Sequence, residues 1–178
     1  EKANGYQTFK TAESLIMQDK EVEIWGPKRF NIKELKDRDI KDFYNLLKTP
    51  KIIQIFAIDF LTLINFENIF SKHLKFISNV ILTFSFSLGV LIRILFINNK
   101  ETIFFTRDIN IAFVLITLLP NIRKKIFIEL HNFPSIKKRI KRQLVILKKC
   151  AGIITLTKVM KKELINYVQK IFVKIVKQ

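Results

Sequence analysis

Residues 102–134 run TIFFTRDIN, then IAFVLITLLP, then NIRKKIFIELHNFP, and the alternation within this stretch decides the fold. A short aromatic and β-branched run stops at the polar Thr106-Arg107-Asp108. An apolar segment of helical length follows. After the basic turn Arg123-Lys124-Lys125, a second β-rich run stops at Glu129-Leu130-His131-Asn132. Strand, helix and strand in that order make a βαβ unit, whose two strands are parallel. In open α/β sheets, ligands bind beyond the carboxyl ends of such strands. The unit therefore brings Arg107 and His131 to one ligand-facing edge.

The same alternation extends outward on both sides. A helix begins near Gly5, with Phe9, Ala12, Leu15 and Ile16 at helical spacing, and EVEIW (Glu21–Trp25) is a strand ended by Gly26-Pro27. A polar connection with a short helix over Ile40–Leu47 leads to the strand KIIQIFAI (Lys51–Ile58), which reaches Asp59. Phe60–Asn98 reads as helix, broken around Asn65 or Ser71. Past the central unit, Ser135 is placed to cap a basic helix ending near Lys149, with Ile136, Ile140, Leu144 and Leu147 on one face. GIITL (Gly152–Leu156) is a further strand, Thr157 caps a helix over Val159–Val168, and Ile171–Val176 is strand-like by composition. The expected fold class is α/β with a parallel sheet, in one domain over residues 1–178.

Composition narrows the function. Hydrophobic residues make up 49% of the 178, which rules out a disordered chain. Cys150 is the single cysteine, so there is no internal disulfide and no Cys-rich zinc site; two histidines, His73 and His131, do not make a His-rich metal site. No metal and no cofactor are expected. The net charge of +17 favours anionic partners, although abundant Lys, Ile, Phe and Asn with four Gly and four Pro also fit the drift of an AT-rich genome. The uncharged run Phe76–Ile92 is shorter than the ~20 residues of a usual spanning helix, which favours a buried or membrane-surface helix.

GxGxxG, GxxxxGK[ST] and GxSxG are all absent, so dinucleotide, P-loop and nucleophile-elbow chemistries lack their backbone. Asp59, Asp108 and Glu129 stand at strand ends without paired spacing, and suit capping or hydrogen bonding better than acid/base work. Arg107, between a strand and a helix start, can hold a phosphate or pair with Asp108 or another carboxylate. His131 can contact a ligand or brace loop backbone. His73 and Trp25 read as structural, and the basic residues do not interleave with aromatics as in a nucleic-acid module.

Several segments together resemble the N-terminal, acceptor-side domain of family 4 glycosyltransferases of the retaining GT-B type. EKANGYQT (Glu1–Thr8) resembles the family's entry to its first helix, and Glu21-Val22-Glu23-Ile24 with Pro27 and Arg29 resembles the following strand and P-x-R segment. Asp19-Lys20 departs from the family's Gly-His or Gly-Asn, and Asn45 replaces a glycine after Tyr44. Phe105-Thr106-Arg107-Asp108 resembles "YTR", and Ile128–Pro134 (IELHNFP) resembles "YELHDFP". Ile153–Thr157 leading to Lys161-Lys162-Glu163-Leu164 resembles "IITVS…LKKEL". The resemblance spans nearly the whole chain in the family's order.

The resemblance implies a Rossmann-like, doubly wound parallel sheet lacking its first, central strand, in a domain truncated at both ends. On this resemblance, the C-terminal donor-binding domain would lie outside the chain. The whole enzyme would move a sugar from a nucleotide-sugar donor to a cell-envelope, polysaccharide or lipid-linked acceptor, and this fragment alone would be inactive. His131 would be catalytic, reaching the donor sugar; Asn4, Thr106, Arg107 and Glu129 would contact substrate. The nucleotide-sugar enters as substrate and not as cofactor, and no nucleic acid is expected. The implied location is cytoplasmic and peripheral on the inner face of the plasma membrane, with an anionic membrane surface as a further partner. The alternative is a non-catalytic, basic, membrane-associated binding module.

Overall fold

The computed structural model describes residues 2–28, 39–60, 70–97, 101–131 and 143–176. The chain divides into two compact units, Glu1–Ile92 and Arg93–Gln178. It is a mixed α/β protein whose strand pairs among the described residues are all parallel, in two small sheets ordered β1-β2 and β3-β4-β5.

In the first unit, α1 (Lys2–Ile16) precedes β1 (Glu23–Pro27), α2 (Ile40–Tyr44), β2 (Lys51–Ile55) and α3 (Phe70–Leu95), whose last turn crosses the unit boundary. Strand β1 continues through Gly26 and Pro27 instead of stopping before them, pairing Glu23 with Lys51 and Pro27 with Ile55. The Lys28 amide donates to the Ile55 carbonyl at 2.7 Å, so the ring nitrogen of Pro27 points away from β2. A proline is tolerated on an edge in that way, and among the described residues β1 has β2 as its only partner.

Helix α1 is fixed by a carboxylate. Glu13 is buried; its Oε2 accepts from Lys10 Nζ at 2.9 Å, and its Oε1 accepts from the Leu47 amide. The Lys10 ammonium first, and that amide second, hold the Glu13 carboxyl below the usual carboxylate range. Asp39 caps α2 by accepting from the Lys41 amide, and Asn45 ends it in the left-handed region at φ 48°. That conformation suits glycine best, and asparagine adopts it more readily than most other residues. Phe9 stacks on Tyr44 at 4.6 Å between centroids.

Helix α3 lies on β2 through Gly89. A Cβ there would stand 2.5 Å from Ile55 Cγ2 and 3.2 Å from the Phe56 carbonyl oxygen. Gly89→Ala gains about 1 kcal/mol of helix propensity but overpacks the contact by about 1–3 kcal/mol. The expected result is a lower urea midpoint. In an Ile55→Ala background the same substitution should cost less, because the Ile55 Cγ2 methyl is gone while the Phe56 carbonyl stays.

The second unit carries β3 (Phe104–Thr106), α4 (Ile109–Leu118), a 3₁₀ turn (Pro120–Lys125), β4 (Ile126–Leu130), the helical residues 143–147 (α5), β5 (Gly152–Thr155) and α6 (Lys158–Val176). Strand β4 is central: Ile126 and Ile128 are fully buried and Leu130 nearly so, as a parallel strand covered on both faces requires. Ala112, Leu115 and Ile116 of α4, and Leu144, Ile146 and Leu147 of α5, complete this core. Gly152 is needed beside Phe127, since a Cβ would stand 2.7 Å from the ring.

Other boundaries also differ from the sequence reading; the helix expected over Ile40–Leu47, for one, ends at Tyr44. The strand expected over Lys51–Ile58 ends at Ile55. Ser71 lies inside α3 and does not break it, so the apolar helix is one 26-residue rod; the break considered at Asn65 lies outside the described residues. The tail Ile171–Val176 is helix and not strand. Leu164, Tyr167, Val168, Ile171, Phe172 and Ile175 recur at helical spacing, and that period outweighs their β-branched composition. The Thr157 cap holds, with the Met160 amide donating to Thr157 Oγ1 at 3.1 Å.

Candidate functional site at the ends of β3 and β4

Parallel pairing sets Thr106 beside Ile128, which brings Arg107 level with Glu129 where the two strands end. The β3–α4 turn is built from its own side chains. The Asp108 amide donates to Thr106 Oγ1 at 3.2 Å, and Asp108 Oδ1 accepts from the Asn110 and Ile111 amides at 2.7 and 3.4 Å. Asp108 is thus the N-cap of α4, and the Thr106 hydroxyl is committed to the turn. These bonds fix the backbone from which Arg107 projects.

Glu129 is the exception on a buried apolar strand, with its side chain 5% exposed. Arg107 Nε donates to Glu129 Oε2 at 3.1 Å. His131 follows two positions later, on the same face of β4 by strand alternation, and its Nε2 lies 2.9 Å from Glu129 Oε1. The angles of that second contact fall outside a hydrogen bond's range. Both atoms are buried and have no hydrogen-bond partner among the described residues. Three side chains expected separately at strand ends, Arg107, Glu129 and His131, therefore form one charged cluster. Glu129 is thus a carboxylate partner of Arg107.

The remaining candidates stand apart. Asn4 falls on α1 in the other unit, and its side chain is outside the described residues. Asn132, Phe133, Pro134 and the basic segment opening at Ser135 lie outside them too. His73 is exposed on α3. Cys150 donates to the carbonyls of Leu147 and Gly152 at 3.0 and 3.3 Å, and burial pushes its thiol pKa up, against a nucleophilic role. No group of three or more His, Cys, Asp or Glu that could hold a metal ion occurs among the described residues.

Sequence reasoning missed Glu13. A Lys10–Glu13 spacing on a helix was the available signal, but it reads as a surface pair. The sequence left open whether α3 is buried or lies at a surface, and its outer face is exposed. Ile77, Val80, Phe84, Leu88, Ile92 and Leu95 recur at three- and four-residue steps and are all exposed, with Phe84 at 60% and Leu95 at 64%. The opposite face buries Phe86, Val90 and Ile94. His73–Leu95 is long and apolar enough to cross a membrane by length and composition, which removes the length argument against a span.

No family model, curated protein or solved structure matches the chain.

Proposed function

We propose that this chain is the acceptor-side part of a retaining GT-B glycosyltransferase, acting on a nucleotide-sugar donor and a cell-envelope, polysaccharide or lipid-linked acceptor. The observation that carries the reading is the meeting of Arg107, Glu129 and His131 at the carboxyl ends of adjacent parallel strands, where open α/β sheets bind ligands. Strand pairing supports it. A sheet ordered 3-2-1-4-5-6, less its first strand, leaves the pairings 3-2 and 4-5-6, which are those of β2-β1 and β3-β4-β5.

In this reading His131 meets the donor sugar from the acceptor side. The bond from the anomeric carbon to the diphosphate breaks with its electron pair on the leaving phosphate. The acceptor oxygen bonds to that carbon on the same face, and its proton passes to the departing phosphate oxygen. Donors for the departing charge come chiefly from a second domain. The test is the full reading frame, expressed and incubated with a panel of nucleotide-sugars and envelope extract. Label appearing in a glycosylated product supports the assignment; a full-length protein that neither binds nor consumes any nucleotide-sugar refutes it.

A second reading, association with an anionic membrane, is favoured by the exposed apolar stripe of α3 together with the +17 charge. The chain should sediment with phosphatidylglycerol vesicles more than with phosphatidylcholine vesicles, and Phe84→Glu should weaken both. Negligible pelleting with either kind of vesicle removes this reading and leaves the transferase reading intact.

A further inference from the structure

The geometry points to Glu129 as the residue that positions His131, with Arg107 holding Glu129 in place. The arrangement stands on its own, and only its catalytic consequence rests on the transferase reading.

A carboxylate on a buried parallel strand is costly unless its oxygens are matched. Arg107 Nε satisfies Oε2 at 3.1 Å. The other oxygen, Oε1, is shielded from solvent and lies 2.9 Å from His131 Nε2, itself shielded and without a hydrogen bond among the described residues. Each of these two atoms is placed to satisfy the other. At 2.9 Å the two atoms are already within hydrogen-bond distance, so the contact lacks only alignment, and hydrogen bonds in catalytic sites are often misaligned until substrate arrives.

The consequence is a choice of nitrogen. Nε2 is buried against Glu129, so the 26% of the His131 side chain that remains exposed lies elsewhere on the ring. A carboxylate accepts only, so it selects the tautomer with the proton on Nε2 and leaves Nδ1 as the nitrogen offered to a ligand. Arginine donates only. If Glu129 becomes glutamine, Arg107 retains the amide oxygen and the NH2 turns toward His131. Nε2 must then accept, and the ring proton moves to Nδ1.

Nitrogen-15 spectra of the histidine-labelled 178-residue chain read this directly, because its two histidines are separated by a His73→Asn variant. Neutral His131 should carry its proton on Nε2 in the parent chain and on Nδ1 in Glu129→Gln. A parent chain with the proton on Nδ1, or a folded Glu129→Gln variant with an unchanged tautomer, overturns the proposal. Should Glu129→Gln not fold, Arg107→Lys is the second variant. It loosens the anchor, and the expected result is a mixture of tautomers; the parent tautomer retained unmixed overturns the proposal. In the full-length enzyme, Glu129→Gln should lower kcat roughly tenfold to a hundredfold, as when a group orienting a functional histidine is removed, with the donor KM unchanged. The tautomer switch without transfer activity in the full-length parent would refute the transferase reading and leave the positioning role standing.

Discussion

His131→Ala in the full reading frame, assayed for the proposed sugar transfer, is expected to lower kcat/KM by about 10²-fold, the order of loss when a substrate-positioning contact is removed. His131 stands one residue past β4, at a bend, with its side chain 26% exposed. Its removal deletes no core volume and leaves the Arg107–Glu129 pair in place, but it leaves the buried Glu129 Oε1 unmatched, at a cost of about 1–3 kcal/mol. The loss in turnover should therefore appear in a variant that is somewhat less stable but still folded. Transfer of labelled sugar, with circular dichroism as the folding control, separates the two. Turnover equal to the parent's would take His131 out of the site.

Arg107→Met should show its effect chiefly in stability. The Glu129 side chain is 5% exposed, and Arg107 Nε is the cation at its Oε2. Removing one partner of a buried pair leaves an uncompensated charge and costs about 3–5 kcal/mol, or roughly a 10 °C lower Tm for a chain of this size. Replacing both partners, Arg107→Met with Glu129→Leu, should recover most of that loss, since a packed apolar pair often matches a buried ion pair. Urea unfolding of the two variants tests this. A single variant within about 0.5 kcal/mol of the parent, the usual surface range, would mean that solvent reaches Glu129 after all.

The sequence carried the element order well because each element had its own local signal. Asp108 and Thr157 sit where caps belong, and both cap. IFIEL is apolar throughout except at one position, and it is the central strand. The tail was misread because residue type pointed to strand while spacing pointed to helix, and local hydrogen bonding satisfies the second without a partner strand. The candidate site was legible as three residue types at two strand ends. That Arg107 and Glu129 are partners depends on register, which is a property of two segments and is written in neither alone. Exposure of the outer face of α3 was equally illegible, because an apolar stripe looks the same whether covered or bare.

The register of β3 against β4 has a consequence for inheritance. Thr106 beside Ile128 sets Arg107 level with Glu129, and strand side chains change face at every step. Substitutions that enrich the chain in Lys, Asn and Ile can accumulate on the surface without disturbing that alignment. A single inserted or deleted codon within either strand cannot. It would turn Glu129 or Arg107 to the opposite face of the sheet and dissolve the cluster in one event. In lineages sharing this site, the spacing from Phe104 to Arg107 and from Ile126 to His131 should outlast the identity of nearly every residue around it.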